Sequence, residues 1–177
     1  MKYTFETLYN QEALTIMAKC LRKTVRRKKS KRSHIFGWIV VILAVILSVV
    51  SDTESFVVDF KKVLTWAAAL AIVVSFIFED WLNGYFAKKR MLKGTEKSTS
   101  TFDTETPNAF VSETAIGKSE FSYDKVAQIA ETERYFVFIF SENHAQVYDK
   151  VSISGGTVDE FREFISKVTN KTVVIVS

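Results

Sequence analysis

A chain of 177 residues with six glycines, one proline and one cysteine is not a disordered or low-complexity polymer. The lone Cys20 excludes an intramolecular disulfide. The formal charge of +4 is mild but unevenly spread: nine cations and no acid lie between Lys19 and Arg32, whereas Ser98–Ser177 holds twelve acids against seven cations.

Residues 1–33 open with "KYTFET", whose alternation predicts a short strand, and continue from Gln11 with Leu14, Met17, Leu21 and Val25 at helical spacing. The other side of that helix is basic. Two placements follow, against the anionic inner leaflet and against the protein's own acidic C-terminal domain, and both can hold together. A nucleic-acid arm would need a reading element or stacking aromatics, and neither is present.

Residues 34–51 and 63–82 are expected to span a membrane. Ile35–Ser51 is uncharged and roughly 25 Å long as a helix, close to a hydrocarbon core of ~30 Å once Ser33 and His34 are added. Val63–Phe78 is equally free of charge. Trp38, Trp66, Trp81 and Tyr85 lie near the ends of these runs, where amphipathic rings favour the headgroup zone. The cations Arg26, Arg27, Lys28, Lys29, Lys31 and Arg32 precede the first span, and Lys88, Lys89 and Arg90 follow the second. Residues 52–62 between them are near neutral. The Lys/Arg asymmetry predicts both termini in the cytoplasm and the 52–62 loop outside. Small residues at Gly37, Ala44 and Ser48, and at Ala67, Ala71 and Ser75, offer faces for packing the spans on each other.

After a basic linker (83–97), residues 98–177 read as a cytoplasmic domain. Strands are expected at Ser98–Glu105, Asn108–Ala115, Lys118–Tyr123, Val126–Thr132, Arg134–Phe140 and Ala145–Lys150, with turn signals at Pro107 and Gly117. Thr157 and Glu160 form a capping box opening a helix with the stripe Phe161, Phe164, Ile165 and Val168, ended at Asn170. "TVVIVS" is a further short strand. Phe121, Ile129, Phe136, Phe138 and Val147 are core candidates. The fold class is therefore α+β: a two-helix transmembrane hairpin plus a small, strongly bent antiparallel sheet or partial barrel, closed by a C-terminal helix.

Phe121, Tyr123, Val126, Ile129, Glu131 and Thr132, in the pattern F-x-Y-x-x-V-x-x-I-x-E-T, are followed by an aromatic strand, a return strand ending in Lys150, and Gly156, Glu160 and Phe161. This stretch resembles the YcxB-like C-terminal domain of bacterial membrane proteins. Tyr148-Asp149-Lys150 stands where that family tends to have I-P-K. The resemblance implies a pleckstrin-homology-like (PH-like) fold at a membrane and supplies no catalytic residue.

No chemistry rises above these features. Gly117-Lys118-Ser119 lacks the glycine five residues earlier that a phosphate loop requires, and Ser122-x-x-Lys125 has no partner motifs. His34, His144 and Cys20 share no ligand spacing. The expectation is a non-enzymatic membrane protein without cofactor. Its cytoplasmic module binds a protein, peptide or lipid headgroup, and the anionic leaflet is a partner. Self-association and protection against a membrane-active peptide are alternatives of the same chain.

Overall fold

The computed structural model describes residues 2–50, 60–106 and 108–177. The expected loop 52–62 therefore lies outside the described residues except for 60–62, as does the turn signal at Pro107. Among the described residues the architecture is α+β, with five α-helices and two four-stranded sheets.

The chain opens with β1 (Lys2–Leu8), which alternates exposed and buried residues. Asn10 caps the next element by accepting the Ala13 N–H at 2.8 Å, and α1 (Gln11–Lys23) follows. A three-residue turn leads directly into α2 (Arg27–Val50), so the basic run 27–32 forms the first turns of the apolar helix itself. Helix α3 (Phe60–Ile77) is interrupted at Phe78 and continues as α4 (Glu79–Arg90), so the expected linker is helical as far as Arg90.

Helices α2 and α3 are long and apolar enough to cross a membrane, and only about 6% of either apolar window is buried. They pack antiparallel: His34 stacks on Phe76 at 4.5 Å at one end, and Trp66 Nε1 donates to Ser48 Oγ at 3.0 Å at the other. Gly37 lets the Phe76 ring approach the α2 backbone, since a Cβ there would lie 2.0 Å from the tip of that ring. Gly37 and Ser48 are thus where the small-residue face was expected. The second face is corrected: Ala67, Ala71 and Ser75 are exposed, while Ala69 is buried. The Phe76 ring over Gly37 sets the rotation of α3 and turns the small stripe outward.

Sheet A runs β1-β2-β3-β4, with β2 (Lys97–Asp103), β3 (Ala109–Thr114) and β4 (Gly117–Ser122) all antiparallel. The N-terminal strand pairs along its whole length with β2, from Lys2 opposite Asp103 to Leu8 opposite Lys97. The expected boundary at residue 98 therefore cuts through a paired sheet. Sheet B runs β7-β6-β5-β8, from β5 (Gln128–Glu131), β6 (Tyr135–Ser141), β7 (His144–Asp149) and β8 (Val173–Ile175), the last parallel to β5. Two sheets take the place of the single bent sheet expected. Helix α5 (Val158–Thr169) opens with the complete Thr157–Glu160 capping box and closes at Asn170, a non-glycine residue in the left-handed region at φ 51°.

One core lies between the sheets and α5, with Phe5, Phe102, Phe110, Ile129, Phe136, Phe138, Tyr148 and Phe161 fully buried. The second lies on the other face of sheet B, where Ala130, Tyr135, Val137, Ile139 and Val147 meet Ala13, Cys20 and Leu21 of α1. Strand β6 is buried on both faces, which explains its unbroken apolar run. Helix α1 thus takes the second of its two placements, with its apolar face on the protein's own sheet. Burial pushes the Cys20 thiol up to about 12. Of the core candidates, Ile129, Phe136, Phe138 and Val147 are buried and Phe121 is partly buried.

Candidate basic site

Where α1 hands over to α2, a cavity of about 580 Å³ opens between the start of α2 and the strand β8. Arg27, Lys31, His34 and Trp38 recur at helical spacing along one side of α2 and line it together with Lys23 and the segment Val174–Ser177. Arg27 and Lys31 lie on the first turns of α2, and Trp38, 50% exposed, lies further along the apolar helix.

The cations differ in what they already hold. Arg22 donates to both Asp80 carboxylate oxygens at 2.7 and 2.6 Å and lies 3.7 Å from Glu79. Those hydrogen bonds to Asp80 raise the Arg22 pKa above its ordinary value. His34 Nε2 lies 2.8 Å from Glu79, and Ser30 donates to the same carboxylate at 3.4 Å. Lys23 Nζ donates to the Ser177 carbonyl. Arg27 and Lys31 make no ion pair among the described residues and are exposed. Two uncommitted cations above an indole, in a concave site, suit an anion attached to an apolar body.

The other expected orientation residues do not line this cavity. Arg26 turns to sheet B, donating to the Glu142 carbonyl at 2.5 Å and to Asn143 Oδ1 at 2.8 Å. Lys29 lies 3.8 Å from the Glu142 carboxylate. The basic run therefore also docks the β6–β7 turn. Lys28 and Arg32 are exposed. Trp66 is engaged with Ser48, and Trp81 stacks on Tyr85 at 5.6 Å. Lys88, Lys89 and Arg90 are exposed at the far end of α4, roughly 15 Å from its start. The immediate flank of α3 is instead the acidic pair Glu79 and Asp80. Charge counting along the chain does not find its partners, because Arg22 and His34 are more than forty residues away.

A second set of residues falls on the motif that the sequence reading singled out. Glu131, with 4% of its side chain exposed, accepts from Lys150 at 2.9 Å and from Arg162 through two bonds of 2.7 Å. Burial alone would raise its pKa, but the bonds from Arg162 and Lys150 outweigh it and hold the carboxyl below its ordinary range. Thr132 exchanges hydrogen bonds with the Tyr135 backbone at 3.0 and 3.2 Å. These contacts tie α5 and the residue after β7 to Glu131 and engage both of its carboxylate oxygens.

The YcxB-like protein family model matches residues 106–165, about a third of the chain, and this segment includes Glu131, Lys150 and Arg162. No curated protein and no solved structure matches the chain.

Proposed function

We propose that this chain, YcxB-like over residues 106–165, is a non-enzymatic integral membrane protein whose PH-like module holds an anionic lipid headgroup at the inner leaflet. Helices α2 and α3 cross the bilayer and both termini lie in the cytoplasm. The cations Arg27, Lys28, Lys31 and Arg32 at the start of α2 and the exposed Lys88–Arg90 support that orientation. Two sheets over one aromatic core with α5 packed on it support the PH-like reading.

The observation that carries the proposal is the α2–β8 cavity, where Arg27 and Lys31 remain uncommitted above Trp38. A phosphate at that depth leaves its acyl chains beside the apolar half of α2. Each cation near an anionic surface contributes about 1 kcal/mol. Native mass spectrometry of the full chain released from membranes containing phosphatidylglycerol is therefore expected to show retained lipid. The Arg27→Ala/Lys31→Ala variant should retain at least roughly tenfold less. Equal retention by both proteins sinks the assignment.

A further inference from the structure

A sheet edge exposes a row of backbone N–H and C=O groups ready to pair with another chain. Three of the four edges here are covered or short. Thr4 of β1 exchanges hydrogen bonds of 2.9 and 3.0 Å with Ser154, and the Glu6 N–H reaches Ser152 Oγ at 3.0 Å. On β7, the Asp149 N–H is held by Thr7 Oγ1 at 3.2 Å. Strand β8 has three residues. Strand β4 is different: six residues long, it pairs with no strand on its far side among the described residues.

The register decides which groups face that edge. The Tyr123 N–H donates to the Asn108 carbonyl at 3.0 Å, so Asn108 and Tyr123 form a hydrogen-bonded pair. In the same register, Phe110–Phe121 and Ser112–Ser119 are hydrogen-bonded pairs too. The backbone groups of Lys118, Glu120 and Ser122 therefore point away from β3 into the open edge.

We propose that β4 pairs antiparallel with β4 of a second copy of this chain, about a twofold axis through Ser119, making one continuous sheet from the two copies of sheet A. Outward groups must meet outward groups, so near the axis the choices are Lys118 opposite Lys118, Glu120 opposite Glu120, or Lys118 opposite Glu120. Charge selects the last, which occurs twice by symmetry. With Glu113 beside Lys118 on the same face, the charges then alternate across the junction. Gly117, next to which an added Cβ would meet nothing within 4 Å, comes opposite the partly buried Phe121 ring of the other copy. A single-strand contact is small, and confinement of both copies to one bilayer, which rests on the membrane reading above, raises their effective concentration. No residue of the α2–β8 cavity takes part.

Ser119 faces its own copy in a non-hydrogen-bonded pair, with Cα atoms about 4.5 Å apart, within the disulfide range of about 4.4–6.8 Å. Mild oxidation of the full-length Ser119→Cys chain in its native membranes should therefore give a disulfide-linked dimer. The unaltered chain, whose single thiol is buried, should give none. Adding Lys118→Glu or Glu120→Lys places like charges opposite each other and should lower the cross-linked fraction about fivefold. Combining the two restores the opposite-charge pairs and should restore the dimer. Arg27→Ala/Lys31→Ala should leave cross-linking unchanged, which separates this pairing from the lipid site. No dimer from Ser119→Cys, or cross-linking indifferent to the charge changes, overturns the proposal.

Discussion

Glu131 illustrates how a single buried charge is made tolerable. A carboxylate taken out of water is unfavourable by several kcal/mol unless its oxygens are hydrogen-bonded to cations. Here both oxygens are, by Lys150 and by the Arg162 fork. Removing the carboxylate leaves two cations without their shared partner, so Glu131→Gln is expected to destabilise the full chain by about 3 kcal/mol, read from thermal unfolding in detergent. The pH dependence has a definite sign. The folded-state pKa lies below the ordinary 4.5, so the contribution is fully present above about 4.5 and is lost as pH falls through the folded value. The unaltered chain should lose stability on acidification in that window, and Glu131→Gln should lose less. Equal acid sensitivity of the two proteins would remove Glu131 from this role.

At the scale of elements, the close approach of α1 and α4 joins the two long apolar helices to the sheets. Arg22 near the end of α1 meets Asp80 at the start of α4, and Gly84 in the middle of α4 lies against Thr15. A Cβ at Gly84 would sit 2.7 Å from the Thr15 backbone nitrogen and 2.9 Å from its Cα. Neither can swing aside as a side-chain end would. Gly84→Ala must therefore push the helices apart, and the expected loss is about 1–3 kcal/mol, despite the gain in helix propensity. Unfolding midpoints unchanged or raised by Gly84→Ala would show that the helices yield freely there. Separation of α1 and α4 would also strain the Arg22–Asp80 contact that neutralises the acidic flank of α3.

For the whole molecule, the body containing the sheets is assembled from chain segments on both sides of the two long apolar helices. Strand β1 supplies one edge of sheet A with Tyr3 and Phe5 in the main core, and α1 covers the outer face of sheet B. A fragment of residues 97–177 lacks both. It would expose Val137, Ile139 and Val147 to water and leave Phe102 and Phe161 without Phe5, whose ring lies 4.7 Å from that of Phe161. Such a fragment is expected to aggregate or to give poorly dispersed amide NMR spectra. Fusing residues 2–24 to it through a flexible linker should restore a dispersed spectrum. A well-folded fragment 97–177 would contradict this dependence.

Local pattern was enough for much of this molecule. Uncharged runs marked the two long apolar helices, because an unbroken apolar surface on a helix has no face suited to water. The Thr157–Glu160 box marked the start of α5, since capping is a contact between residues three apart. The Phe121-to-Thr132 motif led to the YcxB-like segment, and Glu131 lay within it. What depends on distant residues could not be read this way. The partner of β1 is ninety residues away, and alternation says only that a strand exists. The pattern of α1 did not say what its apolar face covers, and only the folded chain shows that face packed on the outer side of sheet B. Ala67, Ala71 and Ser75 had the right spacing for a helix contact, but the Phe76 ring over Gly37 determined which side of α3 faces α2. The cavity beside α2 is a property of tertiary packing alone, because its far wall is β8, and nothing near Arg27 or Lys31 in the chain encodes that neighbour.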